Sequence, residues 1–397
     1  MPDVDLTPTN CLPEGGLSGT FVGRAWVPGT VPGPSPVLVR DGGVFDLGAV
    51  APTLAGLLAA DDPAATATAG AGERLGDVAD ILANSHHAAR RGDAPHFLAP
   101  ADLQALKACG VTFVRSMLER VIEEQAKGDP DQAAEIRRLM AEQIGDSLAD
   151  IAPGSDGAMA VKRVLVGKGL WSPYLEVGIG PDAEVFTKSQ PMASVGTGAE
   201  IGVHPASTWN NPEPEVVLVI APDGRVVGAT LGNDVNLRDV EGRSSLLLGK
   251  AKDNRGSCAV GPFVRLFDDT FSMDDVRRMD IRLTVAGDDG FTVDGVSSLS
   301  EISRDPADLA AQAIGPHNQY PDGLLLFTGT MFAPTEDRDG PDQGFTHHLG
   351  DLVTISTPML GALVNRVNHT DRLPPWTFGV GELMRNLARR GLLGRAA

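Results

Sequence analysis

The chain has 397 residues, which suits two domains or one large domain with an N-terminal extension better than a single small core. Hydrophobic residues make up 42% and charged residues 21%, an ordinary globular balance, and 47 Gly with 29 Pro predict a β-rich body with many turns. The 52 Asp+Glu outnumber the 33 Lys+Arg, giving a net charge of −19 that a phosphate backbone or an anionic membrane would repel, so no nucleic acid and no membrane is expected as a partner. Cys11, Cys109 and Cys258 are odd in number and far apart, with no CxxC pair, which argues against a disulfide framework or a zinc site. No apolar run approaches the ~20 residues of a membrane span, and the opening MPDVDLTPTN is acidic without an apolar core, so the cytoplasm is the expected compartment.

In chain order, residues 1–60 read as a small β-rich unit, with strands predicted over Thr20–Val27 and Pro36–Arg40. The Ala/Asp/Thr/Gly-rich tract Ala51–Leu82 holds one predicted helical stretch. Asp102–Ala108 has the composition of a short helix. A longer helix follows Gly110-Val111-Thr112-Phe113, with Met117, Leu118, Val121 and Ile122 at helical spacing, and Ala133–Ile144 reads as a further amphipathic helix after the Gly128-Asp129-Pro130 turn. Beyond about residue 155 the texture changes to strands, the clearest being Val185–Thr187, Glu215–Ala221, Arg225–Leu231, Ile281–Val285, Gly323–Phe327 and Asp351–Thr357. Helices are predicted over Pro306–Ile314, capped by Asp305, and over Thr377–Arg390. The expected organisation is α+β: a β-rich N-terminal domain over 1–95, a helical linking region over 96–154 and a catalytic domain over 155–397.

The stretch from Asn210 to Asp239 carries the chemistry. Val216–Ala221 is an unbroken apolar run, as in a strand buried on both faces; Pro222-Asp223-Gly224-Arg225 is a turn; Arg225–Leu231 returns as a second strand. With the turn centred on Pro222–Arg225, Glu213 faces Asp234 across the hairpin, and Glu215 shares the face of Glu213 because side chains alternate. A bulge would shift this register by one residue. Like charges so close repel by about 4 kcal/mol per pair at 4 Å and an effective dielectric near 20. The cluster therefore needs protons, a basic side chain or a metal ion, and all-oxygen ligands favour Mg²⁺, Mn²⁺ or Ca²⁺ over zinc.

Glu213-Pro214-Glu215 followed by Gly232-Asn233-Asp234-Val235-Asn236-Leu237-Arg238-Asp239 resembles the E-x-E … N-D-x-S-x-R-D signature of the fumarylacetoacetate hydrolase superfamily, with Asn236 in the Ser place. Leu248-Gly249-Lys250, Gly261-Pro262, Val185-Phe186-Thr187-Lys188 with Ser194, Thr328-Gly329-Thr330 and Gly350-Asp351-Leu352-Val353 resemble further family segments in the family's order, with Ser189 where a Pro is usual. The resemblance covers roughly residues 185–355. It implies a C-terminal mixed β-roll domain and a divalent ion, Mg²⁺ with Mn²⁺ as the alternative, on Glu213, Glu215 and Asp234. It also implies that Lys250 serves catalysis, that Lys188 and Thr330 contact substrate, and that the protein forms a homodimer or homotetramer.

The family's water-activating segment Y-x-D-H-x-x-E matches Phe113–Glu119, where Ser116 takes the His position, which puts C–C hydrolysis in doubt. That departure resembles the branch that dehydrates 2-keto-3-deoxy-pentonates through a metal-stabilised enolate. Glu119 is the expected acid/base, although Glu123 and Glu124 lie close by, and Arg115 and Ser116 are expected to hold substrate oxygens. His317 could close over the substrate's hydroxyl end, and His204 is a further candidate near the hairpin; Arg238 and Asp239 are expected to support the ligands. The expected substrate is a small 2-oxo sugar acid. The alternative is a C–C hydrolase of an acylpyruvate or a 2,4-diketo-3-deoxy sugar acid.

Overall fold

The computed structural model describes residues 4–70, 72–113, 117, 138, 152–169, 171–341 and 343–394. The strands are β1 (Phe21–Val27), β2 (Gly33–Arg40), β3 (Gly43–Asp46), β4 (Arg74–Gly76), β5 (His96–Leu98), β6 (Ala105–Gly110), β7 (Glu184–Ser189), β8 (Glu200–Val203) and β9 (Asn210–Asn211). They continue as β10 (Pro214–Ile220), β11 (Val226–Asp234), β12 (Asn236–Leu237), β13 (Cys258–Leu266), β14 (Asp280–Ala286), β15 (Thr292–Ser298), β16 (Leu324–Phe327), β17 (Leu352–Thr357) and β18 (Gly361–His369). One eleven-stranded sheet runs in the order β4-β3-β2-β1-β13-β11-β10-β16-β6-β7, with β5 also paired to β1, and a five-stranded sheet runs β15-β14-β17-β18-β8. The N-terminal strands thus share a sheet with the acidic hairpin: Phe21 and Val22 pair with Arg265 and Val264 of β13.

The unbroken apolar run of β10 has the predicted cause. Val216, Leu218 and Ile220 enter a core with Ile281, Leu283, Val353 and Ile355 of the second sheet. Val217 and Val219 point the other way, into a core with Leu54, Leu57 and Leu58. Both faces are covered, so neither can carry polar side chains. The hairpin closes through a three-residue loop: the Ala221 N–H donates to the Arg225 carbonyl, and Gly224 has a φ of +90°. Val227 is then skipped by the ladder, since Ile220 pairs with Val226 while Val219 pairs with Gly228. This bulge restores the predicted register, and Pro214 faces Asn233, Glu215 faces Gly232.

Two sequence expectations are corrected here. Ala105–Gly110 is a strand: it pairs in parallel with β16 and antiparallel with β7, and these two ladders override the helical composition of the segment. The tract Ala51–Leu82 contains three helices, Leu54–Leu58, Pro63–Ala69 and Val78–Ser85, with β4 between the last two. The Asp305 cap forms as expected, accepting from the Ala307 N–H at 2.8 Å, and its helix runs Pro306–Ala313. The last helix runs Val380–Arg389. Apart from Met117 and Arg138, the two helices predicted between 114 and 150 lie outside the described residues.

Candidate metal centre

The open end of the β10/β11 hairpin gathers its acids by backbone geometry. The Asp234 N–H donates to the Glu213 carbonyl at 3.0 Å, and the Glu213 N–H donates to Asn233 Oδ1 at 3.2 Å. One carboxylate oxygen from each of Glu213, Glu215 and Asp234 lies within 4.8 Å of the others, and all three residues are buried. The predicted register therefore brings together the predicted triad.

The turn after β16 fixes the third member. Thr328 donates through both N–H and Oγ1 to the Val216 carbonyl, at 3.1 and 3.0 Å. The chain then turns at Gly329, φ +90°, and the Gly329 N–H donates to Glu215 Oε2 at 2.6 Å. A side chain at Gly329 would meet Thr112 Oγ1 at 2.1 Å, so the position needs glycine for space as well as conformation. Thr330 lines the cavity, with its hydroxyl bonded to the backbone of Phe332.

Two buried lysines oppose the acids. Lys252 Nζ lies 2.5 Å from Glu213 Oε2 and 3.1 Å from Asp234 Oδ2, above the ring of Phe186. Lys188, fully buried, lies 2.7 Å from Asp234 Oδ1 and donates to the Val235 carbonyl at 3.0 Å. Asn236 Nδ2 bridges Glu213 Oε1 at 3.1 Å and Glu241 Oε2 at 2.6 Å. Burial pushes Glu213 up, and Glu215 well up, from the usual carboxylate range, with repulsion from Asp234 adding to both. Burial alone would lower Lys252, but Asp234, Glu213 and Glu241 outweigh it and hold it above the usual lysine range.

The residues fit a hard divalent cation. The three triad carboxylates exceed the two facing ammonium groups by one negative charge, Glu241 beyond Asn236 adds another, and every converging acceptor is oxygen. The cluster forms one wall of a cavity of about 430 Å³, with Cys109, Val111, Tyr174, Glu184, Arg243 and Thr330 among its other lining residues.

Three expected site residues are placed elsewhere. Lys250 is exposed on the opposite side of the helix Leu248–Lys252; Lys252, one turn after Leu248, takes the inward position instead. Lys188 supports Asp234 from beneath and is absent from the cavity wall. His317 is exposed near the turn end of the hairpin: β16 begins opposite Ile220 and reaches the acids only after Phe327. Arg115, Ser116 and Glu119 lie outside the described residues, although Met117 between them lines the cavity. Asp239 accepts from Ser207 Oγ at 2.8 Å and the Thr208 N–H at 3.0 Å, and Arg238 stacks over Trp209. Lys252 and Glu241 are the site residues that sequence reasoning missed. The helical pairing of Leu248 with Lys252, rather than the G-K dipeptide, is the signal that points to the former.

Residues 176–368 match the family model described as fumarylacetoacetate (FAA) hydrolase C-terminal. Over 194 residues the chain is 33% identical to a probable 2-keto-3-deoxyxylonate dehydratase of Haloferax volcanii, covering 49% of this chain and 63% of that protein. Over 184 residues it is 30% identical to a 2-dehydro-3-deoxy-D-arabinonate dehydratase of Saccharolobus solfataricus, covering 46% and 58%. The matched stretch thus spans about 60% of the length of these curated relatives. A solved structure of 2-keto-3-deoxy-D-arabinonate dehydratase complexed with magnesium and 2,5-dioxopentanoate superposes with a TM-score of 0.60 at 21% identity, covering 89% of this chain and 100% of that one. The apo form gives the same TM-score over 88% and 99%. The fold is therefore of the fumarylacetoacetate hydrolase type.

Proposed function

We propose that this chain, whose residues 176–368 match the fumarylacetoacetate hydrolase C-terminal family model, is a Mg²⁺-dependent lyase dehydrating a 2-keto-3-deoxy-D-pentonate, of the xylonate or arabinonate series, to 2-oxoglutarate semialdehyde. The carrying observation is the buried Glu213–Glu215–Asp234 triad with Lys252 beside it, facing a cavity of about 430 Å³. Both curated relatives bear dehydratase names, and the related structure holds magnesium with a five-carbon dioxo acid.

The reaction balances as loss of the C3 proton and the C4 hydroxyl as water, a proton shift from C5 to C3 that gives a C4=C5 enol, and transfer of the enol's hydroxyl proton to C4, which leaves an aldehyde at C5. A divalent cation held by the triad would supply Lewis-acid polarisation of the 2-oxo carbonyl. Lys252 contributes a fixed positive charge where negative charge develops, in a site too dry to screen it. The Gly329 N–H holds one oxygen of Glu215, leaving the other to face the triad. Glu119 stays the proposed proton acceptor at C3, and Arg115 with Ser116 the proposed contacts to substrate oxygens. A homo-oligomer in the cytoplasm belongs to the same reading.

The test is incubation with Mg²⁺ and 2-keto-3-deoxy-pentonates of both series, following product mass and aldehyde. One product lighter by water supports the proposal; two carbon fragments would identify a C–C hydrolase. Glu215→Gln in chelator-treated protein should lower turnover by ~10²-fold or more at fixed Mg²⁺, and full activity without added metal would defeat the metal reading.

A further inference from the structure

A second hollow, of about 360 Å³, lies against the outer side of the same elements, between the His204–Ser207 turn and the segment Leu237–Lys250. Its wall carries Arg243 and Lys250, and neither has an acidic partner among the described residues. His204 adds a third donor. The Ala206 N–H donates to His204 Nδ1 at 3.1 Å, so Nδ1 is unprotonated and the ring hydrogen of the neutral form sits on Nε2. Asp239 in the same wall keeps its charge, but its two oxygens are turned to Ser207 Oγ at 2.8 Å and the Thr208 N–H at 3.0 Å, and the two cations leave the wall net positive. Two unpaired cations and an N–H donor around a concave surface make a receptor for negative charge.

We infer that this hollow binds a small oxyanion, a carboxylate or phosphate group carried by a metabolite, through Arg243, Lys250 and His204. Arg243 also lines the catalytic cavity, so an occupant that engages its guanidinium changes the charge presented to the substrate's end of that cavity. The site is thereby suited to regulation by an anionic compound distinct from the substrate.

The test is calorimetric titration of the Mg²⁺-loaded protein, without substrate, with inorganic phosphate in one arm and glutarate in the other, ionic strength being held constant with NaCl. Saturable binding of at least one anion is expected, weakened at least tenfold by Lys250→Met and by Arg243→Met. Both side chains are exposed, so the variants should fold, and matched thermal midpoints verify it. Absence of binding by both anions to the unaltered protein overturns the inference, as does affinity undiminished in the Arg243→Met Lys250→Met double variant. Because no turnover is measured, this outcome is independent of the proposed dehydration.

Discussion

Lys188 Nζ lies 2.7 Å from Asp234 Oδ1 and donates to the backbone carbonyl of Lys252, the residue whose own Nζ reaches the other oxygen of the same carboxylate. One lysine thus sets both an acid of the triad and the position of the second lysine. Lys188→Met removes the cation but leaves Asp234 and two carbonyls buried, and breaking such a pair costs about 3–5 kcal/mol. The expected result is a lowered thermal midpoint together with weakened Mg²⁺ binding. An unchanged midpoint would show that Lys188 is no structural support.

The exchange of Lys250 for Lys252 as the site lysine can be measured directly. Lys252→Met should lower kcat by ~10²-fold or more, the range found when a preorganised charge-stabilising donor is removed. The loss in Lys252→Met should exceed that in Lys250→Met by at least tenfold. Comparable losses would return Lys250 to the centre.

Gly329→Ala should cost about 1–3 kcal/mol from the φ of +90° alone, and more from the clash with Thr112 Oγ1. The distorted turn would also withdraw the N–H from Glu215, so Mg²⁺ affinity should fall with stability. Retained affinity in a destabilised Gly329→Ala protein would mean that this donor does not orient Glu215.

Away from the site, Arg338 clamps Asp351 through two bonds, at 2.6 and 2.7 Å, with both side chains buried. Burial would raise the Asp351 carboxyl, but Arg338 and His347 outweigh it and hold the group at about 2. The folded value lies below the ~3.9 of an unfolded chain. This stabilisation is therefore present above about pH 4 and is lost as pH falls toward 2. Asp351→Asn should lower stability at pH 7 by about 3 kcal/mol and flatten the part of the acid unfolding curve between pH 4 and 2. An identical acid curve in the variant would assign that limb to other carboxylates.

The triad was legible because a hairpin converts a turn signal and a period of two into a prediction of which side chains meet. Nothing in Pro222–Arg225 reveals the three-residue loop or the bulge, yet their offsets cancel, so the facing of Glu213 and Asp234 was readable regardless. The second lysine was misread because a dipeptide match ignores helical phase, which buries Ala251 and Lys252 and exposes Lys250. Ala105–Gly110 was misread because its strand character comes from β16, more than 200 residues away, and no local pattern encodes that partner. The position of His317 relative to the acids is not readable locally, because it depends on the direction in which β16 crosses the sheet.

The skipped residue near the tip of the hairpin acts as a spacer for chemistry some seven residues away. Were Val227 taken into a regular ladder, every pair below it would slip by one, and Asn233 would stand opposite Glu213. An amide would then replace an anion in the cluster, while the displaced aspartate would swing among the valines and leucines between the two sheets. A single kink in one strand thereby decides whether this protein gathers three carboxylates at one point or buries an unmatched charge.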